Sequence, residues 1–138
     1  MQDLLSPRAH FRAFGFVVLR GALSDDETAA LIREGDRAVR DATGNCYLVD
    51  DGQGGISGHY IPATGDRTPM SLALLQRYTP LVEQLAGVPI LPAITQYTLF
   101  FDMAGWHTDT GHAVPSVKVI AYLDPLDEHN GALRVLPG

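Results

Sequence analysis

The sequence is short of cysteine and of positive charge. Cys46 is the one cysteine in 138 residues. A single thiol closes no internal disulfide and builds no cysteine-based zinc cluster; its ordinary role is that of a small, partly buried side chain. Ten Lys and Arg stand against sixteen Asp and Glu, for a net charge of -6 and a pI of about 5.1. With no basic cluster, the electrostatic attraction to nucleic acid or anionic lipid is missing, so neither is expected as a partner. No apolar run approaches the ~20 residues that span a bilayer, and no charged stretch leads into an apolar one at the N-terminus as a secretory leader would. A cytoplasmic location is the default that remains. Repeats, low-complexity tracts and a dividing linker are also lacking. At 138 residues, 46% hydrophobic and 19% charged, the chain has room for one globular domain with a modest core.

The first part of the chain carries helix signals. Leu4 to Phe14 reads as a short helix that Ser6 can cap, with Pro7 in its first turn and Gly15 as its stop. Phe16-Val17-Val18-Leu19 is rich in β-formers, is closed by Gly21, and reads as a strand. Ser24 then caps a second helix that runs to about Arg40. Asp25, Asp26 and Glu27 fill its first turn, where the positive end of the helix dipole favours them, and Ala30, Leu31 and Val39 are candidates for its buried stripe. Residues 41–68 hold Gly44, Gly52, Gly54, Gly55, Gly58 and Gly65 and no hydrophobic period, so they read as a long irregular loop in which His59 and Tyr60 are placed to reach a substrate. Helical spacing returns from Pro69 to Ala86, with Leu72, Leu75, Leu81 and Leu85 near one face, Pro80 marking a kink, and Gly87 ending it.

From Ile90 the pattern is that of strands. Ile94 to Phe101 is long and β-rich; Gln96, Thr98 and Phe100 share one face, and Tyr97, Leu99 and Phe101 the other. A turn at 102–105 leads to Trp106-His107-Thr108-Asp109. Val117 to Leu123 reads as the next strand, with Lys118, Ile120 and Tyr122 alternating against Val117, Val119, Ala121 and Leu123. Asn130-Gly131 is a strong hairpin signal before a return strand, Ala132 to Leu136.

His107 and Asp109 are the chemistry-bearing pair. Two residues apart on an extended chain, their side chains point to one face. An imidazole nitrogen and a carboxylate oxygen there hold two adjacent positions of a divalent metal. One further His completes a 2-His-1-carboxylate facial triad, which leaves positions open for substrate and O₂.

The order W-H-T-D, then V-K-V-I-A-Y-L-D, then E-H-N-G-A-L-R-V-L-P-G across residues 106–138 resembles the phytanoyl-CoA dioxygenase family of Fe(II)/2-oxoglutarate oxygenases. The opening F-x-x-F-G-F-V-V-L-R-G-x-L-S-x-x-E is similar to the same family, so the resemblance begins near residue 4. It implies an α+β, mainly β fold: a double-stranded β-helix (a cupin-like jelly roll) preceded by helices. The single domain 1–138 then divides into a helical scaffold over 1–89, which includes the Gly-rich loop 41–68, and the first part of the jelly-roll core over 90–138. The family's remaining strands, its distal His ligand and the Arg that pairs with 2-oxoglutarate are expected beyond Gly138.

The resemblance further implies Fe(II) held by His107 and Asp109, with 2-oxoglutarate and O₂ as co-substrates and a small molecule as the substrate hydroxylated, while succinate and CO₂ are released. Gln96, Thr98, Lys118 and Tyr122 are the candidates to face the interior and touch 2-oxoglutarate or substrate. A strand Lys such as Lys118 also commonly extends to solvent. Asp109 occupies the place that related halogenases leave to a small residue, which favours hydroxylation over halogenation. His112, His10, His59 and His129 are the local alternatives for a third ligand. The competing expectation is a catalytically incomplete half-barrel remnant that binds a partner chain or self-associates through an open sheet edge. A cupin-like metalloprotein of another reaction class ranks last, because such sites use more His ligands than His107 and Asp109 supply.

Overall fold

A computed structural model describes residues 6–41, 47–50, 56–100, 106 and 116–137. Along these the order is α1 (Pro7–Phe14), α2 (Asp25–Arg40), β1 (Tyr47–Asp50), β2 (Ile56–Pro62), α3 (Pro69–Ala86) and β3 (Gln96–Phe100).

The helices start and stop where local chemistry directs. In α1 the Ser6 hydroxyl accepts from the Ala9 amide at 3.2 Å, Pro7 sits at the first helical position, and Gly15 closes the end with φ of 79°. That left-handed geometry is one glycine adopts without steric penalty. At α2 the capping box is complete. The Glu27 amide donates to Ser24 Oγ at 3.2 Å and the Ser24 amide donates to the Glu27 carboxylate at 2.9 Å; such a cap is worth about 1 kcal/mol. The Ser24 amide, together with the Arg77 guanidinium that pairs with Glu27 from α3, holds the Glu27 carboxyl below the usual range. Pro80 stays inside α3 without ending it. Gly87 caps α3 with φ of 79°.

The sheet is three-stranded and antiparallel in the order β1-β2-β3. Tyr47 pairs with Tyr60 and Leu48 with His59, and the register slips between Val49 and Asp50. Across the other edge Tyr60 pairs with Thr98, Ile61 with Tyr97 and Pro62 with Gln96. Helix α2 covers one face. A methyl group on Gly35 would stand 3.0 Å from the Tyr97 ring, so the missing side chain at Gly35 is what lets Tyr97 lie against the helix. Among the described residues Leu31, Ala38, Ile61, Val82 and Leu85 are the buried apolar core. The buried stripe of α2 is Leu31, Glu34, Gly35 and Ala38, while Ala30 and Val39 are half-buried. The stripe is thus turned slightly from the expected Ala30, Leu31 and Val39. On α3 the buried residues are Ser71, Val82 and Leu85; Leu72, Leu75 and Leu81 are half-buried.

Several expectations are corrected. The double-stranded β-helix is not the architecture: among the described residues one three-stranded antiparallel sheet and three helices make a mixed α/β arrangement. The reason is strand pairing. The stretch 41–68, read as irregular loop, supplies β1 and β2, so β3 takes its hydrogen bonds from β2. The β-patterned runs Val117 to Leu123 and Ala132 to Leu136 are not strands; a strand exists only where a neighbour accepts its ladder. Phe16 to Leu19 is likewise not a strand. The turn at Asn130-Gly131 does form: the Ala132 amide donates to the Asp127 carbonyl at 3.1 Å, and Gly131 has φ of 105°. It joins two irregular segments in place of two strands.

Candidate functional site

His107 and Asp109 lie outside the described residues, as do Cys46 and His112. Trp106, which leads the motif, is described and is 66% exposed. It follows β3 by six residues.

Gln96 and Thr98 are on β3 and exposed. Their neighbour Tyr97 faces α2, so the alternation of the strand sends Gln96 and Thr98 to the opposite, uncovered face of the sheet. Tyr60 stands directly across from Thr98 and shares that face; Tyr60 is half-buried and has interactions of its own. The structure thus gathers three polar side chains named from the sequence, Tyr60, Gln96 and Thr98, on one surface just before the motif. It does not place Lys118 and Tyr122 on a strand beside them. Both are exposed in the irregular segment 116–137, where Tyr122 Oη accepts from the Leu133 amide at 3.2 Å. The backbone of His59 pairs with Leu99, which puts this position inside the sheet and not in a loop.

The other candidate ligands have local roles. The His10 ring packs against Phe14 at 4.7 Å and edge-on to Phe16 at 5.5 Å between ring centres. His129 is on the exposed turn, 3.5 Å from the Glu128 carboxylate. Among the described residues no group of three or more His, Cys, Asp and Glu is arranged to hold a metal. As a donor set, the imidazole and carboxylate of His107 and Asp109 suit Fe(II).

A cleft of about 230 Å³ opens between the end of α2 and the 63–68 turn, lined by Ala38, Ile61, Pro62, Thr64, Asp66, Arg67 and Thr68. Its polar groups already serve the turn. Thr68 Oγ1 accepts from the Thr64 amide at 2.7 Å and donates to the Thr64 carbonyl at 3.0 Å. The Asp66 carboxyl is held below its usual range, chiefly by the Thr64 hydroxyl. None of the residues singled out from the sequence lines this cleft, and it is smaller than the ~300 Å³ at which small-molecule sites begin.

A buried polar cluster that the sequence reading missed joins α2, α3 and β3. Glu34 is 1% exposed. Its Oε2 accepts from the Met70 amide at 2.9 Å, and its Oε1 accepts from the Ser71 amide at 3.0 Å and from the Tyr97 hydroxyl at 2.9 Å. Beside it the Ser71 and Thr95 hydroxyls are 2.9 Å apart. The Thr68 hydroxyl makes no cap to α3, being turned to Thr64, and Glu34 caps that helix from its neighbour. The signal available in the sequence was a carboxylate in the middle of the stripe Leu31, Gly35 and Ala38, because a charge there requires a partner.

Burial raises the Tyr97 hydroxyl above its ordinary value, and its hydrogen bond to Glu34 adds to this. A group that holds its proton more tightly when folded stabilises fully below its unfolded value of about 10, and that contribution is lost as pH rises above it. Stability is therefore expected to fall more steeply above about pH 10 in the wild type than in Tyr97→Phe. Urea midpoints measured from pH 8 to 11 check this, and equal slopes would refute it.

No family model matches the chain, and no curated protein or solved structure matches it. Among the described residues no helix is long and apolar enough to cross a membrane.

Proposed function

We propose that this chain carries two of the three protein ligands of an Fe(II)- and 2-oxoglutarate-dependent dioxygenase that hydroxylates a small molecule. The supporting observation is the order of residues from Trp106 to Leu136: a His-x-Asp pair, a β-patterned run ending in Leu123-Asp124, and the Asn130-Gly131 turn. The fold described above is not the one the resemblance implies, so the proposal rests on the residues.

His107 offers an imidazole nitrogen and Asp109 a carboxylate oxygen to the metal. Bound Fe(II) with 2-oxoglutarate supplies the oxidising power, drawn from O₂ as the keto acid is decarboxylated to succinate. Gln96 and Thr98 offer hydrogen bonds on the uncovered sheet face, with Tyr60 next to them. Lys118 is the cation suited to a carboxylate. Tyr122 keeps a donor O–H to offer while its oxygen accepts from Leu133.

The test is succinate formation from 2-oxoglutarate, followed by NMR, with Fe(II) and ascorbate present. Activity that a chelator removes and Fe(II) restores supports the reading. Protein that neither retains Fe(II) nor yields succinate sinks it, and tight zinc or nickel in its place points to another metal chemistry.

One observation favours a second reading, self-association through the sheet edge. Val119 is 52% exposed, Ile120 53%, Leu133 58% and Leu136 72%, and among the described residues β3 has a neighbour on one side only. Unpaired edges and exposed β-forming runs invite pairing with another chain. Light scattering then shows oligomers whose mass rises with concentration; a monodisperse monomer rejects this reading.

A further inference from the structure

Away from the motif, the electrostatics of α1 is out of keeping with an acidic chain. Arg8 and Arg12 are one helical turn apart, so they share a face. Both reach the C-terminal end of α3. A methyl group placed on Gly87 would stand 2.6 Å from Arg8 Nη2 and 3.4 Å from Arg12 Nη2. The two nitrogens are therefore at most about 6 Å apart, a span that one oxyanion bridges with charge-assisted bonds of about 2.8 Å on each side.

Neither guanidinium has a hydrogen bond or ion pair among the described residues, although acids outnumber bases sixteen to ten in the chain. Arg8 is in the first turn of α1, which holds no acidic residue and where the positive end of the helix disfavours a cation. The C-terminus of α3 supplies about half a negative charge and the Glu83 carboxylate, which accepts from the Ile90 amide at 3.2 Å, a full one, against two full positive ones. The corner therefore keeps a net positive charge, and the missing side chain of Gly87 is what lets the two guanidinium groups lie this close to the end of α3.

We propose that Arg8 and Arg12 form an oxyanion-binding site at the α1–α3 corner, which takes a carboxylate or phosphate group between the two guanidinium groups. This site is independent of the iron chemistry. It is tested by following the Gly87 amide by NMR during titration with inorganic phosphate and, separately, with acetate, while sodium chloride holds the ionic strength constant. The wild type is expected to show a saturable shift in at least one titration, and the anion that saturates identifies the class. Arg8→Gln and Arg12→Gln are each expected to weaken binding by at least about tenfold. Both side chains are exposed, so both variants keep the wild-type melting temperature. A shift that stays linear to tens of millimolar in the wild type, or equal affinity in folded variants, overturns the site.

Discussion

Glu34→Ala is expected to unfold the protein at far lower denaturant than the wild type. The substitution removes a buried carboxylate that takes three hydrogen bonds, and it leaves the Ser71 amide without a partner in the interior. A buried donor left unsatisfied costs about 1–3 kcal/mol, and bonds to a charged acceptor are the stronger ones. Two backbone amides and a hydroxyl together bring the loss to roughly 3–5 kcal/mol, a large part of what holds a domain of this size together. Glu34→Gln is expected to fall between: its oxygen still accepts, but its NH₂ faces groups that are themselves donors. Ser71→Ala, which keeps the amide and loses only the hydroxyl bond to Thr95, is expected to cost about 1 kcal/mol. Urea unfolding of the three variants ranks them. A Glu34→Ala midpoint within error of wild type would show that the carboxylate does not hold α2, α3 and β3 together.

His107→Ala and Asp109→Ala are each expected to weaken Fe(II) binding by at least about a hundredfold, because groups that merely orient metal ligands already cost 10- to 100-fold when removed. 2-Oxoglutarate-dependent succinate formation is expected to disappear with the metal. Thr108→Ala is the control: if the His-x-Asp pair binds on an extended chain, the residue between would face the other way, so near-wild-type metal affinity is expected. His112→Ala separates a ligand set closed within this short segment from one that uses a more distant His, and it is expected to retain binding. Calorimetric Fe(II) titration under anaerobic conditions, paired with succinate yield, reads all four. Full metal affinity in both His107→Ala and Asp109→Ala rejects the assignment.

Helix ends were legible in the chain because their determinants are local. Ser6 and Pro7, Ser24 with Glu27, and the glycines at 15 and 87 act within four residues of the backbone they cap. No partner elsewhere was needed to read them. The strands behaved differently. The run 94–101 was legible by its β-rich composition, and Gln96–Phe100 within it is β3. The equally β-patterned run 117–123 did not become a strand, since periodicity records which residues suit a sheet and not whether a neighbour is present. The glycines of 41–68 hid a hairpin whose second strand takes the edge of β3.

The sequence by itself determined the acidic, cysteine-poor character of the chain, both caps of α1, the N-cap of α2 and the C-cap of α3, the turn at Asn130-Gly131, and the His-x-Asp pair on which the proposed chemistry stands. Tertiary structure alone decided three things. Glu34 caps a helix 36 residues away. Tyr60 comes to stand opposite Thr98. Arg8 and Arg12 meet at Gly87. Each joins groups far apart in sequence, and such contacts depend on how elements pack after they form, which no local propensity or short period encodes.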